Sequence, residues 1–257
     1  MRRVPRLAIA AALLASAALL CAAAPARAQG RFPPDSLVNL KFFPRTIGVR
    51  DLIDTMRFFT SALGVRCQFC HVGREGMPLD SFDFRSDDKR TKRTARVMLD
   101  MVHHINMEHL MEVPERPVPN VQVTCVTCHR GVARPVALWT LIAATARENG
   151  LDSAVKAYRG LRDRYYGRAA YDFGETSLTA AAEELRGQGR FDDAIGILRL
   201  NAEFYPTSGQ VLYWLGETYL AKADTANAVT NYRQALQKEP RLFPAARRLR
   251  DLGQSPD

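Results

Sequence analysis

Past Asp35 the chain has no apolar run long enough to span a membrane, which excludes a multi-pass membrane protein. It has no basic stripe interleaved with aromatics, so its positive charge carries no nucleic-acid-binding signature. Cysteine is scarce, with five in 257 residues. The apolar fraction, 47%, is ordinary for a globular chain and excludes disordered and fibrous classes. The length allows one large or two medium domains with a real core.

The first residues are a different matter. Met1 to Arg6 is cationic, Leu7 to Ala24 is an Ala/Leu run, and Ala26-Arg27-Ala28 has the small-x-small pattern of a cleavage site. We therefore expect residues 1–28 to be a secretory signal peptide and the mature chain to start at Gln29. The alternative is an uncleaved anchor, for which the run is barely long enough. Cys21 reads as a small apolar residue of that leader, since bulky Leu20 before it is wrong for lipidation. Removing Arg2, Arg3, Arg6 and Arg27 lowers the formal charge from +9 to +5. Export predicts a periplasmic location.

Four cysteines remain, and in an exported protein an even number suggests two disulfides. Their spacing argues otherwise. They form Cys67-Gln68-Phe69-Cys70-His71 and Cys125-Val126-Thr127-Cys128-His129. Covalent attachment of a c-type haem needs two thiols spaced for the two vinyl groups and an imidazole held against the iron, which Cys-x-x-Cys-His supplies. A disulfide pair, a redox dithiol or a zinc site leaves the repeated His unexplained. Zinc also fits poorly because 55 positions separate Cys70 from Cys125, far beyond finger spacing. We expect two haem c groups, with His71 and His129 as proximal ligands. Their four propionates would offset much of the net charge.

The surrounding pattern is helical. Val49, Leu52, Ile53, Met56, Phe59 and Leu63 repeat at helical spacing over Thr46 to Leu63, and Gly64 stands where a left-handed stop is wanted. Residues 72–92 read as a polar surface loop, with Asp87 or Asp88 near the start of the next helix. That helix is predicted over Lys89 to Glu112, with a stripe of Val97, Met98, Met101, Val102 and Ile105. Pro114, Pro117 and Pro119 end it and stiffen the link to the second motif.

A sixth ligand decides whether each iron is a closed carrier or an open catalyst. For the first haem Met56 is the candidate, since it lies mid-stripe on the helix ahead of the motif. For the second the candidates are Met98, Met101, His103, His104, Met107 and His109. At 100° per residue Met101 lies inside the stripe, His104 about 60° to its side and His103 about 160° away. Met101 is the choice, with Met98 and His104 as rivals. A Met/His pair raises the potential and leaves no open site.

From Val136 onward a 34-residue period appears: Pro206 and Pro240, Ala194 and Ala228, Leu185 and Tyr219, Leu198 and Tyr232. This is the tetratricopeptide period, and Leu215-Gly216-x-x-Tyr219 with Ala235 fits its small-and-large pattern. A weaker unit with Leu138, Leu141, Ala154, Tyr158 and Leu161 precedes an insertion around residues 165–175. Three helical hairpins are expected, the first degenerate. The fold class is thus all-α: a multihaem cytochrome c domain over 36–135, with little regular structure beyond haem-packing helices, then tetratricopeptide-like repeats over 136–252.

Met56 eleven residues ahead of Cys67, the Leu63-Gly64-Val65-x-Cys67 turn, and Met101-Val102-x-x-Ile105-Asn106 leading to Thr127-Cys128-His129-Arg130-Gly131 resemble the cytochrome subunit of bacterial photosynthetic reaction centres. The similarity covers about Thr46 to Pro135. That family is tetrahaem and periplasmic, and re-reduces a photo-oxidised bacteriochlorophyll pair. The resemblance implies Met on the preceding helix as sixth ligand, which supports Met56 strongly and Met101 less. This chain departs by carrying one haem pair followed by repeats.

The leading expectation is a periplasmic diheme electron carrier, not an enzyme. Its partners would be redox proteins, with a membrane-bound photosynthetic or respiratory complex docked in part through the repeats. The alternatives are a diheme peroxidase, for which Glu108 and Glu112 would be the acid/base candidates, and a repeat scaffold with redox-sensing haems.

Overall fold

A computed structural model describes residues 31–115 and 118–256. The expected signal peptide lies outside the described residues. Among those described the protein is all-α; extended pairing is limited to one isolated antiparallel bridge between Val72 and Asp83. No described helix is long and apolar enough to cross a membrane.

Two compact units are present. One holds the described residues up to Phe58 together with Arg66–Val118; the other holds Phe59–Val65 and everything from Pro119 on.

Helix α1 (Val49–Leu63), whose residues from Phe59 on belong to the second unit, begins three residues later than its periodicity predicts. Ile47 N–H donates to Pro44 O, so a tight turn occupies the residues before it, and Asp51 in its first turn complements the helix dipole. Helix α2 (Arg90–Met107) is followed by a separate 3-10 turn, His109–Glu112. The single helix expected from Lys89 to Glu112 is therefore broken at Glu108, its tail tightened ahead of Pro114 as helix ends commonly are.

The apolar pattern of α2 also divides differently from the predicted stripe. Leu99, Val102 and Ile105 are half-buried, whereas Val97, Met98 and Met101 lie on the open side. Through the described residues up to Pro135 only Ala62 and Val132 are buried apolar side chains. This part of the chain has almost no core of its own.

The second unit is the opposite. After the one-turn helix α3 (Cys125–His129) come α4 (Leu138–Asn149) and α5 (Leu151–Tyr165), α6 (Glu175–Gly187) and α7 (Phe191–Phe204), α8 (Gly209–Ala221) and α9 (Thr225–Lys238), and a last helix, α10 (Phe243–Asp251). These are three stacked hairpins and a terminal helix, around one core that runs from Leu138 to Leu249.

Residues one period apart play matching parts. Ala194 and Ala228, Leu185 and Tyr219, Leu198 and Tyr232 are all buried. Small residues let helices approach: a Cβ on Gly216 would stand 2.5 Å from the Tyr232 ring. Asn201 takes the place that Ala235 fills one period on, and its amide donates to Glu175 O and Thr179 Oγ1.

The stretch 166–174 lengthens the first repeat and packs aromatics against it. Phe173 meets Tyr158 edge-on, and Arg162 is held 4.2 Å over Tyr166 and 4.4 Å over Phe204. At the far end buried Glu217 accepts from Tyr232 Oη at 2.6 Å and from Arg248 at 2.7 and 2.8 Å, tying α8, α9 and α10 together.

Candidate haem attachment sites

The first motif is a tight turn. Cys67–Phe69 forms a 3-10 turn, and Cys67 O accepts from the N–H groups of Cys70 at 3.2 Å and His71 at 2.9 Å. Both thiols and the imidazole are thereby fixed to one short loop. Residues 72–83 form the surface loop that their polarity suggested, and it is closed at its ends. The Val72–Asp83 bridge closes them, with Asp83 N–H donating to Val72 O at 2.8 Å.

Because Val72 and Asp83 pair, their neighbours His71 and Phe84 meet, the ring centroids 4.9 Å apart and edge-on. The Nδ1 of His71 is buried with no hydrogen-bond partner. Burial, helped by Lys92, Arg96 and Lys89, pushes its pKa down to about 4. The imidazole is therefore neutral at physiological pH, the form that has a lone pair for a metal.

The start of α2 grips this turn. Lys89 Nζ donates to Gln68 O and Thr91 Oγ1 to Phe69 O. Lys92 Nζ donates to Phe84 O at 2.9 Å and Ser86 O at 2.8 Å. Asp87 is no helix cap; Lys89 holds that position. Its carboxylate instead joins Arg96 at 2.7 Å, Lys41 at 3.0 Å, Lys92 at 3.2 Å and Asn39 Nδ2 at 2.9 Å. Hydrogen bonds from Arg96 first, then Lys41, hold it well below the usual carboxylate range.

The second motif is helical over Cys125–His129, its first turn capped by Thr124 and Thr127; Thr124 N–H donates to Thr127 Oγ1 at 3.0 Å. Arg130 (φ 48°) and Gly131 (φ 86°) then stop the helix in left-handed geometry. His129 Nδ1 lies 3.0 Å from Val132 O, which can only accept, so Nδ1 carries the proton and Nε2 keeps its lone pair. That arrangement orients a metal-ligating imidazole.

The end of α1 packs backbone to backbone on the tail of this motif. Gly131 N–H donates to Ala62 O at 2.8 Å, and Gly64 has φ 65°. A Cβ there would come within 2.0 Å of Gly131 O.

The residues fit a covalently held porphyrin better than the competing groups. All four cysteines are free thiols. Burial pushes the Cys70 and Cys125 thiols up, away from the thiolate form that zinc or a reactive dithiol requires. Among the described residues no three His, Cys, Asp or Glu side chains converge as a metal cluster. Phe69, Met98 and Met101 in the first unit and Val126 in the second are 37 to 47% exposed, apolar surface of the kind a large flat group covers.

The sixth-ligand candidates are differently placed. Met56 is half-buried on α1. Met101 shares the open side of α2 with Val97 and Met98. Its rival His104 is engaged, with Nδ1 2.6 Å from Glu108 Oε1 and Nε2 3.7 Å from Asp100. Its hydrogen bond to the Glu108 carboxylate raises its pKa. His103 lies edge-on to Phe42.

Residues 78–167 match the model of the family described as "Photosynthetic reaction centre cytochrome C subunit". Among curated relatives, cytochrome c-554 of Chloroflexus aurantiacus is 32% identical over 96 residues, which is 34% of this chain and 21% of that protein. The photosynthetic reaction center cytochrome c subunit of Roseobacter denitrificans is 31% identical over 107 residues, 35% of this chain and 27% of that one. The chain therefore spans about a quarter of the length of these relatives.

The matched segment is offset from Thr46 to Pro135, the span over which the motifs carry the resemblance. It encloses Met101 and the whole second motif, runs on into the first helical hairpin, and begins after Met56 and Cys67–His71. Sequence reasoning passed over Phe84 and Lys92 and gave Asp87 only a place near the start of α2, because a loop rich in Asp, Lys and Arg carries no periodic signal. The bridge that organises the loop involves only one residue on each side.

Proposed function

We propose that this chain is an exported, periplasmic diheme c-type cytochrome that carries electrons between redox partners. The cytochrome part would span residues 36–135, with tetratricopeptide-like repeats over 136–252. One observation carries the reading: two Cys-x-x-Cys-His turns stand in a stretch with almost no core and with Phe69, Met98, Met101 and Val126 open. Two covalently bound porphyrins supply the missing apolar mass.

Cys67 and Cys70 would bind the first haem, and Cys125 and Cys128 the second. His71 and His129 would be the proximal ligands, with Met56 and Met101 as sixth ligands. Bound there, each iron supplies a one-electron couple whose potential the protein sets. The protein's own share of the work is to hold two imidazoles in place. Val132 O does this for His129, and Phe84 with the closed 72–83 loop does it for His71.

The partners would be membrane-bound, either a photosynthetic reaction centre, in keeping with the family of residues 78–167, or a respiratory complex. The repeats would supply part of the docking surface, as stacked hairpins do elsewhere.

The test is the mass and redox behaviour of the exported protein. Two covalent haems, two one-electron waves, low-spin spectra and no reaction with carbon monoxide or peroxide are expected. A mass with fewer than two haems ends the diheme reading, and a high-spin iron that reacts with peroxide favours an enzyme instead.

A further inference from the structure

The side chains around the first motif carry an uneven charge. Lys89 bonds to a carbonyl inside the motif itself, and Lys92 to carbonyls of the loop whose Phe84 faces His71. Arg96 and Lys41 stand on the same Asp87 carboxylate as Lys92, and Arg93 donates to the Asp88 carbonyl at 2.9 Å. Asp83 spends its carboxylate on the N–H groups of Arg85 and Ser86. Five cations thus share the surroundings of this turn with Asp83, Asp87 and Asp88.

Lys92 is the telling member. Its side chain is only 12% exposed, so solvent and salt screen it far less than a surface lysine. It is satisfied by three carbonyls, those of Phe84, Arg85 and Ser86, and by Asp87. A cation held this firmly exerts a fixed field.

We propose that Lys89 and Lys92, braced on Asp87, are positioning residues that raise the reduction potential of the haem at Cys67, Cys70 and His71. This rests on the haem reading above. When an electron is taken up from a one-electron donor, and no proton accompanies it, the site loses one unit of positive charge. Fixed cations nearby favour that state, and a fixed carboxylate opposes it. The bonds from Lys89 to Gln68 O and from Thr91 to Phe69 O keep the cations and the attachment turn in register.

Opposite charges give opposite signs, which a purely structural role would not. Lys89→Gln and Lys92→Met should each shift the reduction equilibrium of the first haem toward the oxidised form by roughly three- to tenfold, tenfold being about 59 mV for one electron. Asp87→Asn should shift it the other way by a similar factor. The second haem's wave should stay in place in all three.

The measurement is a spectroelectrochemical titration of the exported full chain. The first wave is assigned in a Cys125→Ser/Cys128→Ser chain that carries only that haem. A mass spectrum of each protein comes first. If the unaltered protein lacks the first haem, the cytochrome reading itself has failed. If both haems are present and the lysine and aspartate variants move the first wave in the same direction, or not at all, the field assignment is wrong. Should Lys92→Met lose its haem, Lys89→Gln against Asp87→Asn still decides the sign.

Discussion

Single residues hold the two motifs where they are. Gly64 meets two demands at once: a positive φ, and a carbonyl so close that no side chain fits. Gly189 has a similarly positive φ of 75°, but open space where a Cβ would go. Gly64→Ala should therefore destabilise by roughly 2 kcal/mol or more, against about 1 kcal/mol for Gly189→Ala. Denaturant midpoints of the two variants measure the difference, and equal losses would mean that the Gly131 contact yields freely. The proposed ligand side chains act on chemistry more than on stability. Met56→Ala should lower the potential of the first haem and open its iron to added carbon monoxide, visible in an optical titration. Met101→Ala should do the same at the second. An unchanged spectrum in either would place another side chain on that iron.

Elements were legible in the sequence in proportion to their periodicity. The 34-residue spacing of Ala194 with Ala228 and of Leu198 with Tyr232 predicted repeat hairpins, and those residues are buried where the period puts them. The two Cys-x-x-Cys-His motifs were equally plain, since their spacing stands in the sequence itself. What periodicity could not show was which side of α2 would find a partner, because Val97, Met98 and Met101 are as apolar as Leu99, Val102 and Ile105. The Asp87 hub escaped for a related reason: its partners, Asn39, Lys41, Lys92 and Arg96, are scattered in sequence and meet only in the fold. The knot joining α8, α9 and α10 was just as invisible, and it is testable. Burial acts to raise the pKa of Glu217, but hydrogen bonds from Arg248 and Tyr232 outweigh it and the net shift is downward. A carboxylate with a depressed folded pKa lends stability above its unfolded value, ~4.3, and loses it as pH falls through the lower folded value. Arg248→Met should cost about 1 to 3 kcal/mol near neutrality, less than a fully buried pair because Arg248 is partly solvated. Thermal melts from pH 7 down to pH 3 should show a shallower acid loss in Glu217→Gln than in the unaltered chain.

At the scale of the whole molecule the two parts obtain their stability differently. Residues from Leu138 to Leu249 bury Tyr158, Tyr232, Ile142, Leu178 and their neighbours completely, a core of the size that sustains independent folding. The earlier part buries Ala62 and Val132 and leaves Met98, Met101, Met107 and Met111 largely open. If porphyrin is its missing core, a chain with Cys67, Cys70, Cys125 and Cys128 all changed to Ala should keep its repeats and lose the order of the rest. Limited proteolysis of that chain should trim it to a resistant fragment starting near Ala137, with helical circular dichroism retained in proportion to α4 through α10. The unaltered, haem-loaded protein should resist cleavage in residues 72–115 under the same conditions. Equal resistance of the two proteins would show that hydrogen bonding around Asp87 and the Val72–Asp83 bridge suffices to order the first unit. The exposed methionines of α2 would then need an explanation other than an absent apolar partner.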